Sequence, residues 1–145
     1  MTELRELYQE TILDHYRQPR NAGRLADANR MAEGFNPLCG DRIKLYLKVE
    51  EGVIRDARFE GTGCAIATAS ASLMTESIKG KREDEALRQL AQVQRMVTGH
   101  NGGEMGKLQV LSGVHEFPQR VKCATLAWHT MKAALENAAA PVTTE

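Results

Sequence analysis

From Arg42 to Glu50 apolar and polar side chains alternate without a break: Ile43, Leu45, Leu47 and Val49 fall on one face, Lys44, Tyr46 and Lys48 on the other. A period of two puts successive side chains on opposite sides of a strand, so this stretch predicts a sheet strand with one face buried. Glu51-Gly52 follows as a tight turn, and Val53 to Glu60 returns with Ala57 and Phe59 on one face, which predicts an antiparallel hairpin. Its two far ends carry Cys39-Gly40-Asp41 and Gly61-Thr62-Gly63-Cys64. A hairpin of this register therefore brings the loop before its first strand close to the loop after its second.

Around the hairpin the spacing is helical. Residues 3 to 17 place Leu4, Leu7, Tyr8, Ile12 and Tyr16 on a stripe, with Thr2 as N-cap and Pro19 closing the segment. Residues 24 to 36 are mixed, with room for a short strand. Helices are expected over 65–79, over 83–98 and over 121–138, the first two stopped by Gly80 and Gly99. Residues 99–119 read as loop with one apolar piece, Leu108 to Leu111. The pattern predicts an α+β fold: a small, hairpin-centred antiparallel sheet of about three strands, packed against several helices. At 145 residues and 42% hydrophobic content, one domain over residues 1–138 suffices, followed by a disordered tail over 139–145.

Nineteen Lys plus Arg balance nineteen Asp plus Glu, so no basic excess recruits nucleic acid or an anionic membrane. No apolar run approaches the ~20 residues that span a bilayer. Three cysteines rule out a complete intrachain disulfide framework, and nothing resembles a signal peptide, which makes a reducing cytoplasm the expected setting.

The cysteines, Cys39, Cys64 and Cys123, each lie beside turn signals rather than inside an apolar run. Two readings stand. They are unrelated buried thiols, since free cysteine packs as a small hydrophobe; or they share a site, in which three thiolates and the Asp41 carboxylate complete a tetrahedral zinc centre. Asp41 has its own alternative as a turn-forming aspartate. Cys64 and Cys123 are both expected at helix starts, where unpaired amides favour a thiolate, with Arg120 and Lys122 adding positive charge beside Cys123. His15, His100, His115 and His129 have no partner at ligand spacing. Gly99 to Lys107 lacks the Ser or Thr of a phosphate-binding loop, and Gly61-Thr62-Gly63 has Ile66 where a dinucleotide fingerprint needs glycine.

Three segments carry a family resemblance: Asn36-Pro37-Leu38-Cys39-Gly40-Asp41-Arg42, Gly61-Thr62-Gly63-Cys64-Ala65-Ile66-Ala67-Thr68-Ala69-Ser70-Ala71-Ser72 and Arg120-Val121-Lys122-Cys123-Ala124-Thr125-Leu126-Ala127-Trp128. The N-terminal Leu7-Tyr8 and Asp14-His15-Tyr16-Arg17-Gln18-Pro19-Arg20-Asn21 agree with them. The chain closely resembles the SufU proteins, within the IscU/NifU N-terminal superfamily of iron–sulfur cluster assembly proteins. The resemblance implies a SufE/NifU-like fold, one Zn2+ per chain on Cys39, Asp41, Cys64 and Cys123, and a sulfurtransferase role. In that role Cys39 accepts persulfide sulfur from a PLP-dependent cysteine desulfurase of the SufS type and passes it to downstream SUF assembly proteins. In the family mechanism a desulfurase histidine takes the place of Cys39 on the metal and frees its thiolate. Arg120, read from its positive charge beside Cys123 rather than from the family motif, is expected to give that thiolate electrostatic support.

IscU-type scaffolds look like Cys, Cys, His, Cys, with the histidine directly before the last cysteine; here that position is Lys122, and an ammonium is no ligand. The segment between Cys64 and Cys123 also resembles the longer SufU pattern, with an insertion expected within about residues 90–118. An iron–sulfur scaffold or carrier of IscU type is the alternative function, and an interaction module with a structural zinc the third.

Overall fold

The hairpin forms as the alternation predicts. In the computed structural model, which describes residues 2–137 and 140–143 and side chains from Tyr8 onward, β2 (Asp41–Glu50) pairs antiparallel with β3 (Val53–Thr62). Glu51 and Gly52 both adopt positive φ, 52° and 77°, the pairing that matches the right-handed twist of the flanking strands. Ile43, Leu45, Leu47 and Val49 are all buried. Tyr46 lies on the opposite face yet is only 6% exposed, because its hydroxyl donates to Glu60 Oε1 at 2.5 Å and Lys44 sits over its ring.

The sheet has four strands in the order β3-β2-β1-β4, one more than expected, and it is mixed rather than wholly antiparallel. β1 (Arg30–Asn36) pairs antiparallel with β2. The tail expected to be disordered supplies the fourth strand: β4 (Val142–Thr143) pairs parallel with Gly34 and Phe35. Residues 139, 144 and 145 of that tail, and residue 138 before it, lie outside the described residues. The physical reason is the path of the chain, since the last helix packs across β1 and delivers the C-terminal residues to the free edge of that strand.

The helices are α1 (Thr2–Arg17), α2 (Ala65–Ile78), α3 (Glu83–Val97) and α4 (Pro118–Leu135), with a 3₁₀ helix over Gly106–Glu116 before α4. α2 and α4 cover one face of the sheet, α1 packs on α2, and α3 packs with α4 and the 3₁₀ helix. One core joins these layers, from Leu45, Leu47 and Ile54 on the strands to Met74, Val93, Leu111 and Trp128 on the helices. The 3₁₀ helix lies in the segment expected as loop; Leu108, Val110, Leu111 and Val114 are buried there, so the short apolar piece anchors it. α4 begins three residues earlier than expected, with Pro118 in its first turn, where a missing N–H costs nothing.

Along α1, Tyr8 and Ile12 pack on the core as predicted, but Tyr16 is 44% exposed and His15 is fully buried. The buried stripe runs through residues 8, 12 and 15, a spacing of four then three, which turns Tyr16 outward. Thr2, Leu4 and Leu7, expected as cap and stripe, have side chains outside the described set. His15 Nδ1 lies 2.7 Å from Ser72 Oγ, and Nε2 is buried without a partner. Burial pushes the imidazole pKa below its usual value, and the positive charges of Lys107 and Arg20 act the same way. A base with a depressed folded pKa contributes stability that is complete above its unfolded value of about 6.5 and is lost as pH falls through the folded one. The stability of the wild type is therefore expected to drop between pH 7.5 and pH 5, and His15→Gln to flatten that slope, as read from urea midpoints at each pH. An unchanged slope would remove His15 from the acid response.

Candidate metal centre

β1 ends at Asn36 and β2 begins at Asp41, so the connection between them is the four-residue turn Pro37–Gly40. Cys39 rides on this turn and is exposed, its backbone N–H donating to the Asn36 carbonyl at 3.3 Å. Asp41 follows as the first residue of β2 and is 1% exposed. Cys64 sits past the end of β3 as the N-cap of α2, and Cys123 lies buried in the second turn of α4. The expectation of a helix start thus holds for Cys64 and fails for Cys123, because α4 begins at Pro118 and its first-turn amides lie upstream of the sulfur.

Three of the four expected ligands converge. The ligand atoms of Cys39, Asp41 and Cys123 lie within 4.8 Å of one another, and the two sulfurs are 3.5 Å apart. Sulfurs sharing a tetrahedral zinc stand roughly 3.8 Å apart, given Zn–S bonds of about 2.3 Å. Cys64 approaches by its backbone: its N–H donates to Asp41 Oδ1 at 2.9 Å. Its sulfur caps α2, accepting the Ala67 N–H at 3.4 Å, and is not one of the three clustered atoms. Among the described residues no histidine joins the group.

The second carboxylate oxygen of Asp41, Oδ2, is buried with no hydrogen-bond partner. A buried acceptor left unsatisfied is costly and rare, and one on a carboxylate that neighbours two thiols is what a bound cation would satisfy. Burial pushes the Cys123 thiol pKa far up, and the neighbouring Asp41 carboxylate and Cys39 sulfur reinforce that. Such a sulfur stays protonated at neutral pH unless a positive charge arrives; a metal ion supplies one and inverts the local balance. Two thiols, an orphaned carboxylate oxygen and a third sulfur at the rim form a donor set that fits Zn2+.

Gly63 keeps this arrangement tight. A Cβ built there would meet Asp41 Oδ1 at 2.8 Å and Asp41 Cβ and Cγ at 3.3 Å, so any side chain pushes the carboxylate out of place. If this cluster holds a metal ion, Gly63→Ala is expected to lower its affinity by about 10- to 100-fold, the usual effect of disturbing what holds a ligand. Competition against a chromogenic chelator measures it, and wild-type affinity would show that Asp41 does not hold metal.

Arg120 stands exposed in the first turn of α4, its guanidinium 5.9 Å from the centre of the Phe117 ring. Lys122 is half-buried directly before Cys123. A polar residue that the sequence patterns did not single out joins the centre: Asn36, fully buried, donates from Nδ2 to the Cys123 sulfur at 3.6 Å and accepts the Leu38 N–H at Oδ1. Its sequence signals are its place at the head of the first family segment and the Asn-Pro pair, which reads as turn chemistry and hides the contact made 87 residues away.

The family model described as "NifU-like N terminal domain" matches residues 7–142. The iron–sulfur cluster assembly scaffold protein IscU of Thermotoga maritima is 44% identical over 137 residues, covering 93% of this chain and 96% of that protein. The zinc-dependent sulfurtransferase SufU of Bacillus subtilis is 43% identical over 129 residues, covering 87% of each. A crystal structure of a proposed iron–sulfur cluster assembly scaffold for the SUF system from Fervidobacterium islandicum superposes with a TM-score of 0.84 at 37% identity, over 87% of this chain and 94% of that one. Matched over nearly its whole length, with the cysteines and the aspartate of the family's three motifs set around one end of the sheet, the chain belongs to the NifU-like N-terminal domain family of iron–sulfur cluster assembly proteins, alongside IscU and SufU.

Proposed function

We propose that the chain is a zinc-dependent sulfurtransferase, which accepts persulfide sulfur on Cys39 from a PLP-dependent cysteine desulfurase of the SufS type and relays it for cluster assembly. The observation that carries this reading is the unequal placement of two neighbouring sulfurs: Cys39 exposed on a turn, Cys123 buried on a helix, 3.5 Å apart beside the orphaned Asp41 oxygen. Zinc, when bound, would hold the sulfurs as thiolates at neutral pH. Cys39, Asp41 and Cys123 would hold it as they stand, and Cys64 would join by releasing its cap on Ala67.

The transfer needs one nucleophile that a partner can reach. The Cys39 thiolate attacks the outer sulfur of the donor persulfide; a bond forms between Cys39 Sγ and that sulfur, the bond between the two donor sulfurs breaks, and the donor cysteine leaves as thiolate. Cys64 and Cys123 stay behind as anchors. Arg120, exposed at the start of α4, would stabilise the negative charge on Cys39. No helix among the described residues is long and apolar enough to cross a membrane.

Elemental analysis of the purified protein, followed by intact-mass measurement after incubation with desulfurase and cysteine, tests the reading. One zinc per chain and a single added sulfur are expected. A coloured, transferable iron–sulfur cluster in place of zinc would favour the scaffold role, which the 44% identical Thermotoga relative supports by name. Against it stands Lys122 in the position where IscU-type scaffolds look like histidine.

A further inference from the structure

Asn36 touches both halves of the sulfur pair. Its backbone carbonyl accepts the N–H of Cys39 at 3.3 Å and of Gly40 at 2.9 Å, and its side-chain oxygen accepts the N–H of Leu38 at 3.2 Å. Three consecutive amides of the turn that carries Cys39 therefore end on this one residue. The Leu38 bond also fixes which end of the carboxamide faces where: with Oδ1 on Leu38, Nδ2 points at the Cys123 sulfur, 3.6 Å away. Asn36 is fully buried, so neither end has water as an alternative partner.

The two sulfurs differ accordingly. Cys123 receives an amide N–H, is 2% exposed and lies against the Gln119 carbonyl at 3.6 Å. Among the described residues no amide donates to the Cys39 sulfur, whose hydrogen-bond neighbour is the Cys123 sulfur itself. A donor to a thiolate withdraws electron density and lowers its nucleophilicity, as hydrogen bonding to a charged form stabilises that form. Alanine supplies neither bond; aspartate keeps the oxygen for Leu38 and loses the donor.

We propose that Asn36 is the positioning residue that selects Cys39 over Cys123 as the sulfur acceptor, by tying the Cys39 turn to the centre and quenching the Cys123 sulfur with its amide. This rests on the sulfur-transfer reading above and names the group that enforces its direction. Asn36 touches no reacting atom of the donor; it acts through the two cysteines.

The test uses the full chain as purified, in wild type, Asn36→Ala and the isosteric Asn36→Asp, each checked for folding by circular dichroism. Peptide mapping after limited iodoacetamide treatment gives the ratio of labelling at Cys123 to that at Cys39. Cobalt loading gives the sulfur-to-metal charge-transfer band, and mapping after desulfurase and cysteine locates the persulfide. Both variants are expected to raise the labelling ratio about tenfold or more, to shift the cobalt band, and to carry part of their persulfide on Cys123. A folded pair of variants with the wild-type ratio, band and Cys39-only persulfide overturns the proposal. A wild-type ratio in Asn36→Asp alongside a raised one in Asn36→Ala overturns selection by the amide donor. Should the wild type take up neither cobalt nor sulfur, the sulfur-transfer reading falls and the acceptor selection with it. A wild type that accepts sulfur, with variants that behave identically, sinks only the role of Asn36.

Discussion

Cys39→Ala is expected to abolish persulfide acceptance while leaving the fold in place. The side chain is exposed on the Pro37–Gly40 turn, and its hydrogen-bonded neighbour is the Cys123 sulfur; the turn itself is held by backbone N–H groups ending on Asn36, which alanine retains. Far-ultraviolet circular dichroism should match the wild type. With chelator present to remove any metal contribution, unfolding free energy should change by less than about 0.5 kcal/mol, as for most exposed substitutions. Incubation with desulfurase and cysteine should then add no sulfur above the background of a protein with all three cysteines replaced. If the variant still gained sulfur at the wild-type rate, the acceptor would be another thiol, and the division between Cys39 and the other two cysteines would be wrong.

The second large effect lies in the core. Trp128 is 1% exposed on α4, its indole N–H donating to Ser70 Oγ at 3.2 Å, while that hydroxyl donates to the Ala124 carbonyl at 2.6 Å. Ring and hydroxyl together bolt α4 to α2. Trp128→Ala removes the largest fully buried side chain and leaves a cavity that the rest of the core fills only in part, so a loss of about 3–5 kcal/mol is expected. Against a typical stability of roughly 5–15 kcal/mol, that brings a domain of this size close to unfolding at physiological temperature. Urea denaturation measures it, with Trp128→Phe as the companion that keeps much of the volume and drops the N–H. A loss under about 1 kcal/mol for the alanine variant would mean that α4 is held elsewhere. Because Cys123 lies on the same helix, metal affinity should fall together with stability in the alanine variant.

What could be read from the chain and what could not divide along a physical line. The hairpin was legible because Ile43, Leu45, Leu47 and Val49 alternate within nine residues, a signal that needs no partner. β1 was legible only as room for a short strand within residues 24–36, because its sequence Arg30-Met-Ala-Glu-Gly-Phe-Asn answers to a distant helix: a Cβ on Gly34 would land 2.2 Å from Thr130 Oγ1, so the glycine serves the approach of α4 at the expense of strand propensity. The sequence marks His15 only as lacking a partner at ligand spacing, and the packing of α1 on α2 reveals it as the buried member of the stripe. At the centre, the hairpin register alone was enough to bring Asp41 toward Cys64. The sulfur of Cys64 turned away to cap α2, a choice set by a backbone N–H three residues on, and no spacing rule distinguishes a capping thiol from a ligating one. Asn36 was invisible as a site residue for the same reason: its partner is separated from it by most of the chain.

The two-residue strand β4 looks negligible beside the ten-residue strands of the hairpin, yet it covers Gly34 and Phe35 on the outer edge of β1. An uncovered edge offers unpaired N–H and C=O groups to any other strand, and Met31 and Phe35, 51% and 38% exposed, would add apolar attraction to that invitation. The last described residues of the chain thus cover part of an edge that would otherwise invite self-association, on the strand whose end holds Asn36. A chain clipped after α4 would expose the cysteine turn's own support to capture by a second copy.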